Sequence, residues 1–166
     1  MKNCAKLDFK ITLIFLVVTV IMSIIAFNFW YELIFFVGSY IFIHWLGILA
    51  ALFILISVPV YYVLKRTRPQ SFKKILRIHV LGNIFAFLLI SIHFSQNLGR
   101  LAGLLQRLGT GFVLYLFLTS IVTTGVLEMY QTNGKLHRIA RIIHKYGFIF
   151  LYSSLIIHMM EGFNIL

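Results

Sequence analysis

Five stretches of the chain are almost uninterrupted in their apolar character: residues 11–31, 39–64, 75–96, 104–130 and 138–161. A helix that crosses a bilayer core of about 30 Å needs roughly 20 such residues, and each stretch is long enough. The expected fold is therefore all-α: an integral membrane bundle of about five transmembrane helices forming a single domain over residues 1–166. Pro69 falls in the second connection, where a helix break is wanted, whereas Pro59 lies inside the second helix and is expected to kink it. Residues 131–134 read as a turn centred on Asn133-Gly134. Trp30, Tyr31 and Trp45 fall near one predicted interface, where amphipathic rings settle. Lys2, Lys6 and Lys10 give the chain a basic start before an apolar run that reaches Trp30. That run is too long for a signal peptide and no small-residue cleavage site ends it, so a retained helix is expected.

Composition agrees. The chain is 61% hydrophobic, well above the 45–50% or so of soluble domains. Its net charge is +11, from 15 Lys and Arg against 4 Asp and Glu. These cations fall between the apolar runs, where they report topology and headgroup contact, so a nucleic-acid partner is not expected and the lipid bilayer is. They also alternate. The N-terminus, the second connection (Lys65, Arg66, Arg68, Lys73, Lys74, Arg77) and the fourth (Lys135, Arg138, Arg141, Lys145) are rich in them. The first connection carries only Glu32, the third only Arg100 and Arg107, and the end after the fifth helix has no basic residue. The positive-inside rule then puts the N-terminus in the cytoplasm and the C-terminus outside, and a prokaryotic plasma membrane is the expected home. Cys4 is the lone cysteine, so the chain has no internal disulfide, no thiolate cluster and no Cys-x-x-Cys-His haem attachment.

Histidines stand inside the apolar spans. Of six, four form two pairs: His79 and His93 in the third helix, His144 and His158 in the fifth, each pair fourteen residues apart. Fourteen residues of α-helix rise about 21 Å and return to within about 40° of the same face. Each helix then presents one imidazole toward the inner side of the membrane and one toward the outer. The third and fifth helices run in the same direction, so His79 shares a depth with His144 and His93 with His158. Displacing the third helix by 65 residues also brings Ile78, Gly82, Ile84, Phe85 and Ile92 onto Ile143, Gly147, Ile149, Phe150 and Ile157. Gly82 and Gly147 each follow an inner histidine by one turn, where a missing side chain would let a flat macrocycle approach the backbone.

Ionisable groups inside membranes are costly and generally functional. Two bis-histidine sites stacked across the bilayer would suit two b-type haems, held without thioether bonds and with no open iron position, a device for electron transfer rather than substrate chemistry. Two other readings stand beside it: histidines as hydrogen-bonding glue between helices, and a non-haem metal or proton path, against which counts the expected lack of a carboxylate at either depth. His44, near the outer end of the second helix, is a candidate contact for an outer haem propionate or a quinol, or an interfacial residue beside Trp45. His137 is expected at the inner surface. Arg77 and Arg141, with Lys145 and Arg100 behind them, are candidate partners for propionates, or else for lipid phosphates. Glu128 is a candidate proton relay or a snorkelling carboxylate.

The segments RIHVLGNIFAFLLISIH and IIHKYGFIFLYSSLIIH resemble the ligand helices of the di-haem membrane cytochromes b, across residues 75–161 or about half the chain. Placement on the third and fifth helices is similar to the ferric-reductase-like transmembrane domains, and in style to small cytochrome b subunits of bacterial dehydrogenases and hydrogenases. The resemblance implies His79, His93, His144 and His158 as axial ligands of two non-covalent haems b, a role as an electron-transfer subunit rather than a stand-alone catalyst, a possible quinone, and other membrane or peripheral redox subunits as partners. The ferric-reductase-like family usually has a sixth helix, and its reductases add flavin and nicotinamide domains; this sequence shows neither. The alternatives are a haem-free accessory subunit of a larger complex and a small proton-coupled transporter.

Overall fold

The structure is a computed structural model that describes residues 2–100, 109–130 and 134–162, with side chains from Asp8 onward. It is helical, with five helices long and apolar enough to cross a membrane. The order is α1 (Lys2–Asn28), β1 (Phe36–Val37), β2 (Tyr40–Ile41), α2 (Phe42–Thr67), a 3₁₀ turn (Pro69–Ser71), α3 (Phe72–Arg100), α4 (Gly109–Tyr130) and α5 (Lys135–Gly162). Arg107, the expected start of the fourth helix at 104 and most of the expected 131–134 turn lie outside the described residues.

One detail differs from the sequence expectation. Residues 39–41 are not helical: Tyr40 and Ile41 pair with Val37 and Phe36 in a minute antiparallel ribbon. Gly38 turns it with φ of 64°, a left-handed conformation that glycine adopts without strain. The Trp45 indole N–H reaches back 2.8 Å to the Val37 carbonyl, fixing the ribbon to the first turn of α2. Pro59 lies inside α2, as expected, and the helix runs to Thr67. That helix ends where Pro69 supplies the fixed φ of a new turn.

The chain falls into two compact units, residues 1–100 and 101–166. In the first, α3 packs on both α1 and α2. Its contacts with α1 run in parallel: Arg77 meets Asp8, Phe85 meets Phe15, and Gly99 lies so close to the end of α1 that an added Cβ would collide with the Phe27 carbonyl oxygen. In the second unit, α4 packs on α5.

Surface and interior are distributed as lipid requires. Large apolar side chains face outward, with Ile14 and Phe150 both 61% exposed. Beside large apolar side chains such as Ile43, Ile84 and Leu118, the buried positions include Ala50, Ala51, Ala86 and Ala140 and the polar Thr12, Thr19, Ser91, Gln96 and Thr124. Lipid tails are as apolar as leucine, so helices associate through close packing of small residues and hydrogen bonds. Gln96, for example, donates to the Trp30 carbonyl at 3.3 Å. These features make the chain an integral membrane protein whose solvent is the bilayer.

Candidate functional site

All four paired histidines are half-buried on α3 and α5. Each ring lies against the neighbouring helix of its own unit, and α2 and α4 repeat the fourteen-residue spacing. On α2, Gly47 faces His93: a Cβ there would be 3.2 Å from the imidazole Cγ. Fourteen residues along α2, Tyr61 stacks on His79 with ring centroids 4.2 Å apart and planes at 22°. On α4, a Cβ at Gly111 would be 3.1 Å from Cε1 of His158, and one at Gly125 would be 2.8 Å from Cε1 of His144. Antiparallel helices advance in opposite senses, so equal spacings keep both pairs in register. The repeated element is thus a helical hairpin, α2–α3 and again α4–α5, rather than the histidine helix alone.

The glycines also decide which backbone group each imidazole meets. A helical carbonyl accepts from the N–H four residues on and keeps a second lone pair. When the residue at that later position is glycine, no side chain covers the lone pair. His93 donates Nδ1–H to the Ile43 carbonyl, four residues before Gly47, at 3.0 Å. His144 donates Nδ1–H to the Ile121 carbonyl, four residues before Gly125, at 2.9 Å. With the proton on Nδ1, the lone pair is on Nε2.

His158 reaches the same tautomer by another route. Its Nδ1 lies 3.1 Å from Thr110 Oγ1, and that hydroxyl is hydrogen-bonded to Glu161. A carboxylate only accepts, so Thr110 gives its single proton to Glu161 and accepts from His158. A carboxylate therefore does lie near His158, contrary to the sequence expectation. Its place three residues after His158 was visible in the sequence; its link through Thr110 was not.

His79 is the exception. Asn83 donates to its Nδ1 at 3.1 Å and to its carbonyl at 2.6 Å, while Asn83 Oδ1 accepts from Ser57 at 3.2 Å. The amide is held in one orientation by those partners. It assigns a lone pair to Nδ1 of His79, the reverse of the other three. Asn97 occupies the equivalent place after His93, but its amide lies at 3.5 Å from Nε2 and donates mainly to the His93 carbonyl at 2.8 Å.

The remaining candidates separate. His44 joins the His93 end of the first hairpin, its ring 5.3 Å from that of His93 and 6.5 Å from Tyr40. Gly82 makes room for Phe53, whose ring would lie 2.5 Å from an added Cβ, and Gly147 faces Ile121 at 3.4 Å. Arg77 pairs with Asp8 at 2.9 Å. Arg141 pairs with Glu128 at 3.4 Å and donates to His137 at 2.7 Å. Both arginines expected beside propionates thus have carboxylate partners, and Glu128 is in an ion pair. Among the described residues, no three His, Cys, Asp or Glu side chains gather as a metal site; a haem with two axial imidazoles needs no such cluster.

The donor chemistry at three positions fits haem. Axial histidine binds through one ring nitrogen while the other N–H is held by an oxygen acceptor that fixes tautomer and ring orientation. His93, His144 and His158 have that arrangement. No family model, curated protein or solved structure matches this chain.

Proposed function

We propose that the chain is a membrane electron-transfer protein in which His79, His93, His144 and His158 ligate two haems b. The observation that carries this reading is the common state of three of them, with Nδ1–H given to an oxygen acceptor and the lone pair therefore on Nε2; at His93 the Asn97 amide stands 3.5 Å from that nitrogen. Haem b would supply a one-electron iron couple. The chain's own residues hold each imidazole against a neighbouring helix, fix its tautomer, and raise its basicity through the accepted hydrogen bond. The flanking apolar side chains keep water from the ligands, which favours electron transfer over ligand exchange.

The basic loops support an N-terminus in the cytoplasm and a C-terminus outside, in a prokaryotic plasma membrane. Electrons would pass between a quinone or a cytoplasmic donor and an acceptor outside, through other redox subunits. The competing reading, hydrogen-bonding glue between helices, draws on the same three bonds from His93, His144 and His158 to the neighbouring helix; the His79 ring instead accepts from Asn83 on its own helix, which Ser57 ties to α2, and stacks on Tyr61.

Ligand replacement tests the proposal. By the sequence register, His93→Ala or His158→Ala removes one haem, and His79→Ala or His144→Ala removes the other, read as haem per purified chain. His44→Ala retains both. Full haem content in all four ligand variants sinks the proposal, and loss of a haem from His44→Ala moves the ligand assignment.

A further inference from the structure

The partner of His158 differs in kind from those of His93 and His144. The latter two donate to neutral backbone carbonyls; His158 donates through Thr110 to a carboxylate. Thr110 is the second residue of α4, and Gly111 beside it leaves space for the imidazole to lie close. Glu161 is in the last turn of α5, where the helix dipole disfavours an anion. Through Thr110 it instead meets the first turn of α4, the end that favours one. Among the described residues the ion pairs are Arg77 with Asp8 and Arg141 with Glu128, so no Lys or Arg there neutralises Glu161.

We infer that Glu161, acting through Thr110, is a positioning residue that keeps the His158 imidazole electron-rich and lowers the reduction potential of the iron it binds. The inference rests on the haem-ligand reading above. A hydrogen bond from Nδ1–H toward a carboxylate gives the ring partial imidazolate character, and a more basic axial ligand stabilises the oxidised iron. The hydroxyl is required as the intermediate, because it both accepts from the ring and donates to the carboxylate.

The test is a redox titration of the full protein in nanodiscs, paired with a histidine ¹⁵N spectrum of the reduced, diamagnetic sample. In Thr110→Val the chain of bonds is cut. The reduction equilibrium of one haem shifts about tenfold toward the reduced form, roughly 59 mV for one electron, while the other haem stays in place. Glu161→Gln, which keeps an acceptor but removes the charge, shifts the same haem by less. Thr110→Ser restores the wild-type potential. The Nδ1–H signal of His158 moves in Thr110→Val and returns in Thr110→Ser. Unchanged potentials in both Thr110→Val and Glu161→Gln, or an equal shift of both haems, overturn the inference. A protein without haem overturns the electron-transfer reading and the inference with it. That failure is distinguishable, since the ¹⁵N signal would still report whether Thr110 holds His158.

Discussion

The two hairpins carry histidines at the same spacing but prepare them differently. In α4–α5, Gly111 and Gly125 bring both imidazoles onto the neighbouring helix, and both rings give away Nδ1–H. In α2–α3 only Gly47 does so; the fourth position is Tyr61, and its ring stacks where a glycine would have left room for the helix to approach. At Nδ1 of His79 Asn83 supplies a donor, where the other three rings meet an acceptor. Equal ligand spacing therefore does not mean equal ligand chemistry. The residues on the facing helix decide the tautomer.

The largest effect expected from breaking this contrast is at the glycines. In Gly125→Ala the new methyl, 2.8 Å from Cε1 of His144, must displace the ring. The expected cost is about 2 kcal/mol of stability, as for overpacking, together with loss of one haem. Gly111→Ala and Gly47→Ala, at 3.1 and 3.2 Å, follow with smaller losses. Haem content and thermal unfolding of the three variants check the order; equal behaviour would mean that the glycines do not seat the rings.

Asn83→Ala comes next. It removes the donor to Nδ1 of His79 and so allows that ring the tautomer of the other three. Histidine ¹⁵N shifts should show the change at His79 alone, with a stability cost of about 1 kcal/mol for the lost hydrogen bonds. An unaltered His79 spectrum would mean that Asn83 does not set the tautomer.

The smallest effects belong to the two ion pairs, Arg77 with Asp8 and Arg141 with Glu128. Arg77 is half exposed in its pair with Asp8, and Arg141 more so with Glu128. Exposed pairs contribute about 0–1 kcal/mol, so Arg77→Ala and Arg141→Ala should leave thermal unfolding nearly unchanged. A large haem loss in either variant would restore the propionate role expected from the sequence.

The spans were legible because a continuous apolar run of about 20 residues has few folded solutions other than a membrane helix. The four histidines were legible because an ionisable group in such a run stands out. Gly47, Gly111, Gly125 and Thr110 were not. Small residues are common in membrane helices for packing alone, and their partners become visible only when the antiparallel register of each hairpin is known. A signal was present: Gly111 and Gly125 repeat the spacing of His144 and His158, as Gly47 and Tyr61 repeat that of His79 and His93. Gly82 misled in the other direction. Its missing side chain lies on the helix of a histidine, yet Phe53 takes the space. The ribbon at 36–41 escaped because Tyr40 and Ile41 continue the apolar pattern of α2, and only Gly38 marks the turn.

The most direct measurement is the haem content of the purified wild-type protein with its reduced-minus-oxidised spectrum. The account predicts b-type bands and about two haems per chain, all extractable without breaking a covalent bond. A folded, colourless protein that takes up no added haem would contradict it.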